Sequence, residues 1–168
     1  MSESLENFTN IVKEDIKEAK TLFFSEAFKE EYLKDRREEK ELYHQLLLGR
    51  NRNQILEEFL LSSGQKKPVL LSAAKTIYQA TIMNLDEPLE IKVKREGWGY
   101  LVGRIKSDGT FLSLHKNVFQ AEDFEDGTLT IYADMKTIPK DGDIDHLIIQ
   151  TVYQTLQIEV VYKEEHSK

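Results

Sequence analysis

Over the first third of the chain the apolar residues recur at helical spacing. Leu5, Phe8, Ile11, Val12, Ile16 and Ala19 mark one face, with Glu, Lys and Asp between them, and Leu22, Phe23, Ala27, Phe28, Tyr32 and Leu33 continue it. Side chains three and four positions apart share a helix face, so this stretch predicts amphipathic helices. No proline or glycine interrupts residues 1–48, and after a strongly charged segment at 34–41 the pattern resumes with Leu42, Tyr43, Leu46 and Leu47. Gly49, followed by Arg50 and Asn51, reads as a helix stop. Asn53 stands where an N-cap would open a short last helix carrying Ile55, Leu56, Phe59 and Leu60, which ends at Ser62-Ser63-Gly64. The expectation is a helical region over residues 1–64 of about three helices. They would pack as a hairpin with a third piece, or against another copy of the chain. The spacing is not a clean heptad, so a long coiled coil is not expected.

From Pro68 onward the period changes to two. Leu89, Ile91 and Val93 alternate with Glu90, Lys92 and Lys94; Leu129, Ile131 and Ala133 with Thr128, Thr130 and Tyr132; Leu156, Ile158, Val160 and Tyr162 with Thr155, Gln157 and Glu159. Turn chemistry bounds these runs at Asn84-Leu85-Asp86-Glu87-Pro88, Glu96-Gly97, Ser107-Asp108-Gly109, Glu125-Asp126-Gly127 and Lys140-Asp141-Gly142-Asp143. Alternation gives each strand one buried face, as in antiparallel sheets packed face to face. About seven or eight strands would match an immunoglobulin-like sandwich in size, and a small hairpin-joined barrel satisfies the same pattern. Period, composition and turn residues change together at 62–67. The chain is therefore expected to be α+β as a whole, with helices over 1–64 and an all-β domain over 65–168.

Composition narrows the function more than the fold. Of 168 residues, 40% are hydrophobic and 32% charged, which suits a modest core beneath solvent-facing helices. The net charge of -7 disfavours phosphate backbones and anionic membranes as partners. The basic clusters Lys34-Arg36-Arg37 and Lys66-Lys67 are diluted or short. With no cysteine, disulfides, thiolate catalysis and zinc ribbons are all excluded. The acidic, polar start lacks the basic and apolar regions of a signal peptide, and no run is long enough to span a bilayer. Cytoplasm is the expectation, unless the chain is a fragment of a longer protein.

Few residues stand out as chemistry. Asp141-Gly142-Asp143-Ile144-Asp145 opens like an EF-hand loop, but His146 and Val152 occupy the positions that need glycine and a bidentate glutamate. It reads as a polar turn. Glu122, Asp123, Glu125 and Asp126 cluster around Phe124 beside Gly127, where solvent would keep paired carboxylates ordinary. His44, His115, His146 and His166 are scattered, with no metal-ligand or triad spacing. Trp98 and Tyr100, among glycines, could form an aromatic platform, against the simpler reading that Trp98 packs in a core or shields a hairpin. Phe23 and Phe28, with Tyr32 and Leu33, form a stripe that is either core or a partner-binding face.

Several β segments also form a family pattern. They are 75–82, the turn and strand from Asn84 through Glu87-Pro88-Leu89 to Val93, Gly109-Thr110-Phe111-Leu112-Ser113-Leu114-His115-Lys116, and the closing pair at 147–151 and 154–160. This pattern resembles bacterial immunoglobulin-like domains, close to fibronectin-III and ASH/MSP-like sandwiches, of large bacterial proteins. The likeness covers the C-terminal three-fifths, with 96–105 as an extra hairpin. It implies a sandwich acting as a scaffolding or binding module, without chemistry, and carries no site residues across. The expected function is non-enzymatic: a protein-interaction or scaffolding module in a larger bacterial assembly, with a protein partner or self-association. No cofactor, metal, nucleic acid or membrane is expected. The alternative is a carbohydrate-binding sandwich using Trp98 and Tyr100.

Overall fold

A computed structural model describes residues 4–164. Five helices come first: α1 (Leu5–Glu14), α2 (Ile16–Phe23), α3 (Glu26–Tyr32), α4 (Arg37–Leu46) and α5 (Arg52–Ser62). Nine strands follow: β1 (Leu70–Ala73), β2 (Ile77–Ala80), β3 (Leu89–Glu96), β4 (Val102–Ser107), β5 (Leu112–Leu114), β6 (Val118–Gln120), β7 (Thr128–Met135), β8 (Ile144–Thr151) and β9 (Thr155–Tyr162). The fold is α+β, as the two periodicities predict.

Five helices replace the expected three because capping residues end helices inside an unbroken apolar pattern. The Asp15 amide donates to Ile11 O at 2.8 Å and closes α1, while its carboxylate accepts from the Glu18 amide at 3.1 Å and opens α2. Ser4 caps α1 by accepting from the Asn7 amide at 3.1 Å. α5 opens two residues earlier than its sequence suggests. Asn51, not Asn53, accepts from the Gln54 amide at 3.1 Å, and Asn53 instead accepts from Lys20 Nζ at 3.0 Å.

The chain divides into two compact units. One is the helical part through Pro68 together with Trp98–Tyr100; the other is Val69–Gly97 with the residues from Leu101 onward. The helical unit centres on aromatic rings. Phe23 lies 4.9 Å from Phe28, 4.9 Å from Tyr43 and 5.3 Å from Phe59, centroid to centroid. Phe8 closes the cluster at 4.7 Å from Phe28. The Tyr43 hydroxyl donates to the Phe23 carbonyl, which satisfies the one polar atom this ring carries into the core.

The second unit is a sandwich of two sheets, with strand orders β1-β3-β7-β5 and β2-β9-β8-β4-β6. It is not a closed barrel. Pairing is antiparallel except between β2 and β9, which run parallel. Every second residue faces inward. Ile91 and Val93 of β3, Leu129, Ile131 and Ala133 of β7, Leu147 and Ile149 of β8, and Ile158 and Val160 of β9 form one buried cluster. Between β5 and β6 only His115, Lys116 and Asn117 intervene. Over those three residues the chain leaves the edge of one sheet and becomes the edge of the other.

Candidate functional site

The margin formed by β5, β6 and β4 carries two open grooves. Alternation along β4 turns Leu101 and Ile105 inward and leaves Val102, Arg104 and Lys106 exposed. The β4–β6 pairing (Val102↔Gln120, Gly103↔Phe119, Arg104↔Val118) needs glycine at 103. A Cβ there would stand 2.2 Å from Phe119 Cζ and 2.7 Å from the Gln150 carbonyl oxygen. The Phe119 ring occupies that space and is itself buried.

Ladder geometry shows which main-chain groups point off each edge. Lys136 N donates to Phe111 O and His115 N to Tyr132 O, so Leu112 and Leu114 are the β5 residues whose amides face away from β7. By the same logic Ile105 N on Asn117 O and Ala121 N on Leu101 O turn Val118 and Gln120 away from β4. One amide on each edge is then taken by a carboxylate. Leu112 N donates to Asp145 Oδ2 at 3.0 Å, and Gln120 N donates to Asp123 Oδ2 at 2.8 Å. That backbone hydrogen bond, with a contribution from Lys116 at 3.3 Å, holds the Asp123 carboxyl below the usual carboxylate range against a smaller opposing effect of burial.

Asp145 is the most unusual residue of the unit. It is fully buried, and besides Leu112 it accepts from the Phe111 amide at 3.1 Å and, through Oδ1, from Asp108 N at 3.1 Å. A carboxylate on β8 of one sheet thus ties the backbone beside β5 of the other.

A groove of about 910 Å³ opens at this margin, lined by Val102, Arg104, Val118, Gln120, Gln150 and Val152 among others. Its valines are exposed: 39% at Val102, 63% at Val118 and 67% at Val152. A second groove, of about 680 Å³, lies between β4 and β5.

The residues singled out by sequence fall elsewhere. Trp98 and Tyr100 belong to the helical unit and are half-buried. Lys66 Nζ donates to the Trp98 carbonyl and to the buried Glu57 carboxylate, and sits 4.4 Å from the centre of the Trp98 ring. Lys13 Nζ lies 5.0 Å from the same ring, and Asn51 donates to the Tyr100 hydroxyl at 3.3 Å. Trp98 therefore packs on a charged pair. Phe23 and Phe28 have no exposed surface, so the chain itself covers the stripe offered as a partner-binding face. Amphipathic helices bury such a stripe when other helices of the same unit are available.

The acidic turn splits in role, since within it Asp123 caps the β6 edge. The Asp141–Asp145 run splits too: Asp141 accepts from Glu164 N, Asp143 from Lys140 N, and Asp145 turns inward. His115 pairs with Asp134 at 2.8 Å and His146 with Asp108 at 2.7 Å; His44 is exposed and His166 lies outside the described residues. Among the described residues no group of three or more His, Asp or Glu could hold a metal ion, and none of their helices is long and apolar enough to cross a membrane.

Residues 2–168 match the model of the family described as "Family of unknown function (DUF5717) N-terminal". The chain belongs to this family. No curated protein matches it in sequence. Among solved structures the family member is similar to the apo form of the Calx CBD1 domain, at 11% identity and a TM-score of 0.41 over 58% of this chain and 98% of that one. It is also similar to the chaperone YadV, at 14% identity and a TM-score of 0.41 over 60% of this chain and 53% of that one. The E. coli chaperone DraB gives 7% identity and a TM-score of 0.42 over 60% and 57%. The chain thus spans little more than half the length of either chaperone.

Proposed function

We propose that this chain is a non-enzymatic protein-interaction or scaffolding module that meets its partner along the β5–β6 margin of the sandwich. The carrying observation is the set of exposed valines, Val102, Val118 and Val152, around one groove. Single exposed apolar residues are ordinary, but several around one concavity mark a surface adapted to being covered. The groove is broadly open, whereas a small molecule is normally held with most of its surface enclosed. The buried charges of both units serve structure: Asp145 is held by three backbone amides and Glu57 by Lys66.

The test is site-specific photocrosslinking in the native host. A photoreactive side chain at Val118 or Val152 should yield one discrete adduct with another protein. The same group at the exposed Lys94, on the other sheet, should not. Failure to crosslink at 118 and 152, or equal crosslinking at 94, sinks the reading.

A further inference from the structure

The groove between β4 and β5 differs in character from the valine-lined one beside it. Arg104, Lys106 and Lys136 all line it, and no aspartate or glutamate does. In a protein of net charge -7 this is a local reversal of sign. The reversal is uncompensated: nearby His115 and Lys116 are matched by Asp134 and Asp123, whereas Arg104, Lys106 and Lys136 enter no ion pair among the described residues.

The same groove is bordered by strand edges. β6 covers β4 only as far as the Ile105–Asn117 hydrogen bond, because from His115 backward the chain belongs to the other sheet. Asp108 N bonds to His146 O, which makes Lys106 a hydrogen-bonded partner of β8 and turns the amide and carbonyl of Ser107 to the uncovered side. Opposite it, Leu114 turns its amide and carbonyl away from β7. Ser107 and Leu114 both line the groove, beside the apolar Val118 and the partly buried Leu114 side chain.

We infer that this groove takes an acidic peptide segment in extended conformation, added as a strand along β4 or β5 with its carboxylates on Arg104, Lys106 and Lys136. The inference deepens the protein-interaction reading and rests on it. Strand addition draws affinity from main-chain hydrogen bonds and specificity from alternate side chains. Here outward-facing residues of the added strand would meet Arg104 and Lys106, which share a sheet face with Val118, and inward-facing ones the partly buried Leu114. Opposite charge also steers encounter and weakens with salt.

The probe is a fluorescein-labelled peptide of alternating Glu and Val, followed by fluorescence anisotropy. Binding is expected at low salt, and should weaken as salt rises. It should fall roughly tenfold or more in Lys106→Glu/Lys136→Glu. N-methylating alternate peptide amides should abolish it, because a strand-added peptide needs them. All three cations are exposed, so the variant should keep the wild-type circular dichroism spectrum and melting temperature. No binding of the acidic peptide, equal binding of a Lys-Val peptide, or indifference to N-methylation overturns the inference. So does a homodimer that the acidic peptide dissociates, which would give the groove to a second copy. Crosslinks at Val118 without peptide binding would leave the interaction reading standing and remove only the acidic strand.

Discussion

A buried carboxylate is tolerable only when its charge is matched by hydrogen-bond donors, and Asp145 is matched by backbone alone. Its three amide donors come from Asp108, Phe111 and Leu112. Asp145→Ala leaves those donors facing an apolar void and should cost about 3 kcal/mol or more of unfolding free energy in urea titration. Asp145→Asn, which keeps one acceptor oxygen, should cost less. Tyr43 gives a different signature. Burial, and secondarily the negative charge of Glu26, raises its phenol above the ordinary value of 10.0. The folded state then holds the proton more tightly than the unfolded one. The associated stability is complete below about pH 10 and is lost as pH climbs toward the raised pKa. Tyr43→Phe should lower stability at neutral pH by about 1 kcal/mol through the lost bond to Phe23 O. It should also show a shallower decline than wild type between pH 9.5 and 11.

At the scale of elements, Gly103 is the position where strand pairing depends on an absent side chain. Gly103→Ala would drive a methyl group into the Phe119 ring and the Gln150 carbonyl. Overpacking of this kind should cost about 1–3 kcal/mol and should speed amide exchange at Phe119, the β6 residue whose main chain faces β4 opposite Gly103. How far elements were legible in the sequence followed from their length and their stops. The eight-residue strands β3, β7 and β9 show enough alternation to be read directly, whereas β8 enters only through the family pattern at 147–151. β5 shows only as Leu112 and Leu114 flanking Ser113, and β6, at three residues, is too short to express a period, so the sheet switch between them was invisible. Helix ends made by Asp15 and Asn51 were hidden for another reason. Polar residues are expected on the outer face of an amphipathic helix, and only local backbone geometry shows which of them cap. Asp145 did carry a signal: it shares the inward parity of Leu147 and Ile149, and a charge at an inward position asks for partners. The candidate groove had none, since its lining is gathered from β4, β5 and Lys136, positions remote in sequence.

For the whole molecule, the decisive fact is that each unit owns a separate core. Phe28, enclosed among Phe8, Phe23, Tyr32, Tyr43 and Phe59, should lose about 3–5 kcal/mol on change to Ala. That loss should appear first in the helical signal at 222 nm on heating. Ile131→Ala, in the centre of β7, should instead lower the transition of the sheet. Identical melting curves from both probes in both variants would mean that the units unfold as one.

The tie at Asp145 also has a bearing on where such a sandwich can work. Many two-sheet domains are riveted across their layers by a disulfide, which demands an oxidising environment and an enzyme or oxidant to set it. Here the cross-layer fastening is a carboxylate gripping main-chain amides, in a chain without a single cysteine. Such a rivet closes as part of folding itself, is indifferent to thiols, and reopens whenever the chain unfolds. The cross-layer tie therefore needs no redox chemistry to form.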